Sequence, residues 1–155
     1  RDGRLGRVNT LAVTISSGGL LPWAMLLLWA GLKDHHVGDF SVLAAFVCQS
    51  NAWGDTFAEL VGSFYGRYEF KVYGLGEINR KTLEGCFACF LASFLSCYAY
   101  TFVAGFPHEI FSVSEVVLCL LVALASTVGE TFSFQGTDNG IMMMASVLVT
   151  ILCSR

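Results

Sequence analysis

Gly54-Asp55-Thr56-Phe57-Ala58-Glu59-Leu60-Val61-Gly62-Ser63-Phe64-Tyr65-Gly66 is the stretch on which the fold turns. Read as a helix, it puts Asp55 and Glu59 four residues apart on one face, with Gly54, Ala58, Gly62 and Gly66 forming a small-residue stripe one position round. One side of such a helix can pack closely while its neighbour presents two carboxylates. The stretch continues an apolar run from about Phe40 to Trp53, too short by itself to cross a bilayer, so the combined helix carries acids at membrane depth. An acidic side chain near the bilayer centre costs about 2.5–3.5 kcal/mol on insertion scales, which is why such residues usually face a polar cavity. An interfacial helix with solvated acids has the same pattern, and both readings stay open at this point.

Around that helix the composition is that of a membrane protein. The chain has 155 residues, 55% hydrophobic and 14% charged, with mean hydropathy +0.64; soluble domains carry nearer a quarter charged residues. The formal charge of -3 supplies no basic field for nucleic acid, and 13 Phe, 3 Trp and 5 Tyr exclude a disordered chain. Helices of about 20 residues cross a hydrocarbon core of roughly 30 Å. The apolar runs at about Leu11–Leu32, Phe40–Gly66, Gly85–Phe106, Val113–Val128 and Ile141–Cys153 therefore predict an all-α polytopic bundle of four to five membrane helices, a single transmembrane domain over 1–155. No secretory signal pattern opens the sequence at Arg1.

The most polar stretch, Arg67 to Lys81, reads as the main loop outside the membrane. Under five helices, Arg1, Arg4, Arg7, Arg67, Lys71, Arg80 and Lys81 fall on one side and Lys33 and Arg155 on the other, as the bias of basic residues toward the untranslocated face requires. The Gly129–Gly140 connection falls on the same side, so two distant polar motifs can meet. One is Asn79-Arg80-Lys81-Thr82-Leu83-Glu84-Gly85, which serves equally as a basic anchor with an N-cap at Thr82, or as a place where Arg80 and Lys81 neutralise phosphate at a helix N-terminus. The other is Glu130 with Asp138-Asn139-Gly140, where ordinary turn chemistry competes with membership of a shared pocket. Paired carboxylates beside basic residues suit a divalent cation and phosphate groups.

The six cysteines read as small hydrophobes in helix interfaces, Met142–Met144 as lipid or core contacts, and Trp23, Trp29 and Trp53 as interfacial anchors. His35 and His36 with Asp34 and Asp39 form a weak alternative metal group on the opposite face. The sequence contains no Walker A motif, kinase Gly-rich loop, nucleophile elbow or zinc signature.

Taken together, three blocks resemble the phytol kinase and dolichol kinase family, polytopic enzymes related to phosphatidate cytidylyltransferases. Gly54-Asp55-Thr56-Phe57-Ala58-Glu59 with Gly62 and Gly66 is similar to its Gly-Asp-x-x-Ala-x-x-x-Gly-x-x-x-Gly block. Lys81-Thr82-Leu83-Glu84-Gly85 is similar to its Lys-Ser/Thr-x-Glu-Gly block, and Glu130 with Asp138-Asn139 to its late acidic element. The resemblance covers about Val42 to Val149. It implies transfer of the terminal phosphate of a nucleoside triphosphate, usually CTP, to the hydroxyl of a long isoprenoid alcohol with the help of Mg2+. It also implies roles: Asp55 holds the metal, Lys81 binds nucleotide phosphates, Glu84 shapes the phosphate site, and Glu59, Arg80, Glu130, Asp138 and Asn139 complete the pocket. The alcohol enters from the bilayer, and the closeness of the Lys81 block to phytol-kinase-like sequences favours a plastid membrane over the endoplasmic reticulum.

Family members usually carry further upstream helices with an early Arg-Lys and His element, which this sequence lacks; the expectation is that it forms the C-terminal part of a longer kinase-like domain. Three rivals follow from the same residues. One is a non-catalytic kinase-like subunit among other subunits of a photosynthetic or respiratory membrane complex, another a cytidylyltransferase, and the third a small ion transporter using Asp55 and Glu59. Convergence of Asp55, Lys81, Glu84 and Asp138 on one cavity separates the enzyme from the subunit.

Overall fold

The computed structural model describes residues 40–74, 77–104, 106, 109, 111–133 and 137–154, with residue 25 and residues 28–30. Its elements are helix α1 (Phe40–Tyr65), strands β1 (Glu69–Gly74) and β2 (Glu77–Thr82), and helices α2 (Leu83–Val103), α3 (Glu115–Phe132) and α4 (Asp138–Leu152). Most of the span expected over Leu11–Leu32 lies outside the described residues, as do Asp34, His35, His36 and Asp39.

Side-chain hydrogen bonds tie each helix to the next. Ser93 Oγ donates to Ser50 O at 2.9 Å, Ser96 Oγ to Gln49 O at 3.3 Å, and the Cys97 thiol to Phe46 O, so α2 runs antiparallel to α1. Cys86 Sγ lies 3.4 Å from Thr131 Oγ1, and Ser126 Oγ lies 2.9 Å from Ser146 Oγ, which sets α3 against α2 and α4 against α3 in the same manner. The result is an up-down-up-down bundle with α4 packed back on α1. A buried hydroxyl chain, Ser50–Ser126–Ser146, crosses its middle, with 2.6 Å between the first two oxygens. Polar bonds of this kind tie helices together where the surroundings offer no water.

Small residues set how close the helices come. A Cβ on Gly85 would sit 2.8 Å from Ala58 O and 3.3 Å from Gly62 Cα, so the stripe read from Gly54 to Gly66 is the surface that receives the start of α2. Away from that crossing the core is apolar, with Leu43, Phe46, Val47, Cys97, Leu118, Val122 and Val147 fully or almost fully buried. Four of the six cysteines (Cys89, Cys97, Cys119, Cys153) are buried and none is in a disulfide, as the reading of small hydrophobes requires. Met142 and Met143 are core residues.

The outer surface is also apolar: Phe87, Leu95, Phe102, Leu124, Val128 and Leu148 are all exposed. Two helices, α2 and α3, are long and apolar enough to cross a membrane by length and composition. Four to five such helices are not found among the described residues. Asn51, Asp55 and Glu59 interrupt the hydropathy of α1, and α4 has 15 residues, about 22 Å at 1.5 Å each, short of a roughly 30 Å core.

The expected loop over Arg67–Lys81 is instead largely a β-hairpin, which also qualifies the all-α expectation. Strands β1 and β2 pair antiparallel with Glu69 opposite Thr82, Phe70 opposite Lys81 and Lys71 opposite Arg80. The alternation of polar and apolar residues in Glu69-Phe70-Lys71-Val72 is the period-2 pattern of a strand. Leu83 N donates to Tyr68 O at 3.1 Å and fastens the hairpin to the start of α2. The hairpin, the end of α1, the start of α2, the end of α3 and the start of α4 all lie at one end of the bundle.

Candidate functional site

That end gathers charged residues from four elements. Asp55 comes from the second half of α1, Lys81 from β2, Glu130 from the last turn of α3 and Asp138 from the first turn of α4. One ligand oxygen from each of Asp55, Glu130 and Asp138 lies within 4.8 Å of the other two. Lys81 Nζ donates to Glu130 Oε1 and lies 3.8 Å from Asp138 Oδ2. The pair is nearly sealed, with side-chain exposures of 12% for Lys81 and 6% for Glu130. Asn139 joins through its side chain, which bonds Asp55, while its backbone N–H donates to Asp138 Oδ1 at 3.3 Å. Asp138 also profits from its place in the first turn of α4, where the helix dipole favours negative charge.

The pleat of β2 decides which basic residue enters the site. Asn79 and Lys81 share one face of the strand: Asn79 Nδ2 donates to Ser133 O at 3.4 Å, just beyond α3, and Lys81 reaches Glu130. Arg80 points the other way, exposed, in an ion pair with Glu69 at 3.6 Å. Glu84 is likewise outside the cluster; its Oε2 accepts from Tyr68 N at 3.3 Å at the base of the hairpin. Thr82 Oγ1 accepts from Gly85 N at 3.1 Å, the N-cap read from the sequence. Glu59 lies one turn beyond Asp55 on the same side of α1 and is exposed. Of the residues singled out from the sequence, Asp55, Lys81, Glu130, Asp138 and Asn139 come together, Glu59 lies at the edge, and Arg80 and Glu84 do not join.

One residue of the site has no place in the motif reading. Asn51 stands one turn before Asp55 on the same face of α1, buried, and its Nδ2 donates to Asn139 O at 2.9 Å. Extending the i, i+4 spacing backward from Asp55 finds it. Among the described residues its Oδ1 has no hydrogen-bond partner, and neither has Glu130 Oε2. A buried acceptor left in that state costs about 1–3 kcal/mol, so two of them at this end of the bundle suit a place that meets a positive group.

The donor set fits a hard divalent cation. Mg2+ and Ca2+ take carboxylate and carbonyl oxygens at about 2.0–2.6 Å, and oxygens this close together can share one ion. Three carboxylates against one ammonium leave two negative charges, which the two positive charges of one divalent cation would balance.

A phytol kinase of Synechocystis sp. is 37% identical to this chain over 109 residues, which make up 70% of this chain and 43% of that protein. The chain is a homologue in the phytol and polyprenol kinase family. It spans less than half the length of that curated relative. No protein-family model and no solved structure matches the chain. The geometry brings the Gly54–Gly66 helix, the Lys81 block and the late acids to a common place.

A separate apolar cavity of about 750 Å3 lies between α1 and α2, lined by Trp53, Phe57 and Val61 on one side and Leu91, Leu95 and Val103 on the other. At about 100° per residue, Trp53 and Phe57 lie roughly 200° round α1 from Asp55, so this cavity opens on a different face from the carboxylates.

Proposed function

We propose that the chain carries the phosphoryl-transfer site of a membrane kinase that phosphorylates a long-chain isoprenoid alcohol, with a nucleoside triphosphate, CTP, as donor. The observation that carries this reading is the convergence of Asp55, Glu130 and Asp138 with Lys81 at one end of the bundle. In the reaction the alcohol oxygen gives up its proton to solvent water and forms a bond to the terminal phosphorus, the bond from that phosphorus to the bridging oxygen breaks, and the nucleoside diphosphate leaves. Catalysis of such a step is mainly positioning and neutralisation of charge. Asp55, Glu130 and Asp138 would hold Mg2+, which when bound neutralises phosphate charge. Lys81 would exchange part of its bond to Glu130 for phosphate oxygens, and Asn139 keeps the Asp55 carboxylate in place through its side-chain bond.

The apolar outer surface and the two spanning-length helices support a setting in lipid, so the hydroxyl of a membrane-dissolved alcohol meets the site at the interface. Phytol as the acceptor accords with the relative's name. The test is radiolabel transfer from CTP to phytol or dolichol in membranes holding the full-length protein, with Asp55→Asn as control. The expected result is incorporation into one alcohol that falls at least a hundredfold in the variant. Incorporation that Asp55→Asn leaves unchanged refutes the assigned role.

A further inference from the structure

We propose that Asn51 completes the acidic site, its Oδ1 serving as a neutral oxygen ligand to the divalent cation that Asp55, Glu130 and Asp138 would hold. The inference rests on the cation-site reading given above. The orientation of the Asn51 amide follows from chemistry: the Asn139 carbonyl can only accept, so the NH2 end must face it and Oδ1 must face away. Asn51 is 6% exposed, and its Oδ1 is buried without a protein donor among the described residues. Glu130 Oε2 is in the same condition on α3.

Asn51 Oδ1 on α1 and Glu130 Oε2 on α3 are thus buried acceptors without a donor among the described residues, on helices that both contribute to the carboxylate cluster. Lys81 does not meet the need, because it is bonded to Glu130 Oε1 and directed toward Asp138. A hard cation does, since it takes amide carbonyl oxygens along with carboxylates. A neutral ligand adds an oxygen without adding charge, and so keeps the balance of two negative charges that suits one divalent ion. The Asn139 contact makes Asn51 part of the same unit, because Asn139 follows Asp138 in the chain and bonds Asp55.

The experiment titrates purified full-length protein in detergent with Mn2+ alone and follows the free ion by electron paramagnetic resonance, with thermal unfolding of each metal-free protein measured in parallel. Wild type is expected to bind Mn2+, Asp55→Asn to lose it, Asn51→Leu to weaken it at least tenfold, and Asn51→Asp to retain or tighten it. Wild-type affinity in Asn51→Leu, with or without a lower melting temperature, assigns Asn51 a purely structural role and overturns the proposal, while the loss in Asp55→Asn leaves the cation site standing. If Asn51→Leu fails to fold, Asn51→Asp decides: binding at least as tight as wild type supports the ligand role, and weaker binding overturns it. Failure of wild type to bind Mn2+ overturns the cation-site reading and this inference together.

Discussion

Replacing Lys81 by Met tests whether the polar end of the bundle is the sealed charge cluster the structure describes. The substitution keeps most of the aliphatic stem and removes the ammonium. What remains is a nearly buried Glu130 with Asp55 and Asp138 oxygens no more than 4.8 Å away. At an effective dielectric constant of about 20, two charges 4.8 Å apart repel by about 3.5 kcal/mol, and the attraction lost between Lys81 and Asp138 at 3.8 Å is about 4 kcal/mol. Breaking a buried pair from one side costs about 3–5 kcal/mol in measured cases, and Lys81→Met is expected in that range. Adding Glu130→Gln removes the stranded charge, so the double variant should regain most of the loss and stand within about 2 kcal/mol of wild type. The assay is equilibrium unfolding in mixed micelles, followed by helicity, for wild type, both single variants and the double variant. A loss below about 1 kcal/mol in Lys81→Met would show a solvated pair of the surface kind and refute the reasoning. A double variant no better than Lys81→Met would refute it too, because the damage would then not come from Glu130.

Two further predictions concern the packing that brings the site together. A Cβ on Gly129 would lie 2.9 Å from Met142 Cα and 3.1 Å from its N, atoms that cannot rotate aside, so Gly129→Ala should force α3 and α4 apart and cost about 1–3 kcal/mol despite the better helix propensity of Ala; a raised melting temperature in the variant would contradict the close crossing. Thr82→Val keeps the shape of the side chain and loses the bond from Gly85 N, which should cost about 1 kcal/mol and speed hydrogen exchange at the Gly85 amide, while exchange unchanged from wild type would show that the cap contributes nothing.

The helices were legible because their signals are local. The apolar runs, the small-residue stripe of Gly54–Gly66 and the Thr82 cap depend only on neighbours in the chain, and α1 to α4 fall close to where those patterns put them. The hairpin was harder to see, since Arg67 to Lys81 is polar enough to read as loop and its alternation is short. That difference matters at the site. Treated as loop residues, Arg80 and Lys81 are equivalent basic neighbours; paired in a strand, they point to opposite sides, and Lys81 alone meets Glu130. Glu84 differs for a related reason, because the fastening of Tyr68 to the start of α2 takes up its carboxylate.

Residue types and spacing by themselves determined that this chain is helical and apolar on its outside and that Asp55 stands on a close-packing helix, and its polar blocks resemble those of a kinase family. Those are properties of single helices and motifs, set by side-chain periodicity and the cost of placing charge in lipid. Only the antiparallel return of the helices decided which acids share a pocket, that Asn51 stands among them, and that Lys81 rather than Arg80 faces them. Contacts between residues dozens of positions apart depend on how helices cross and how a strand is pleated, and no local pattern in the chain encodes either.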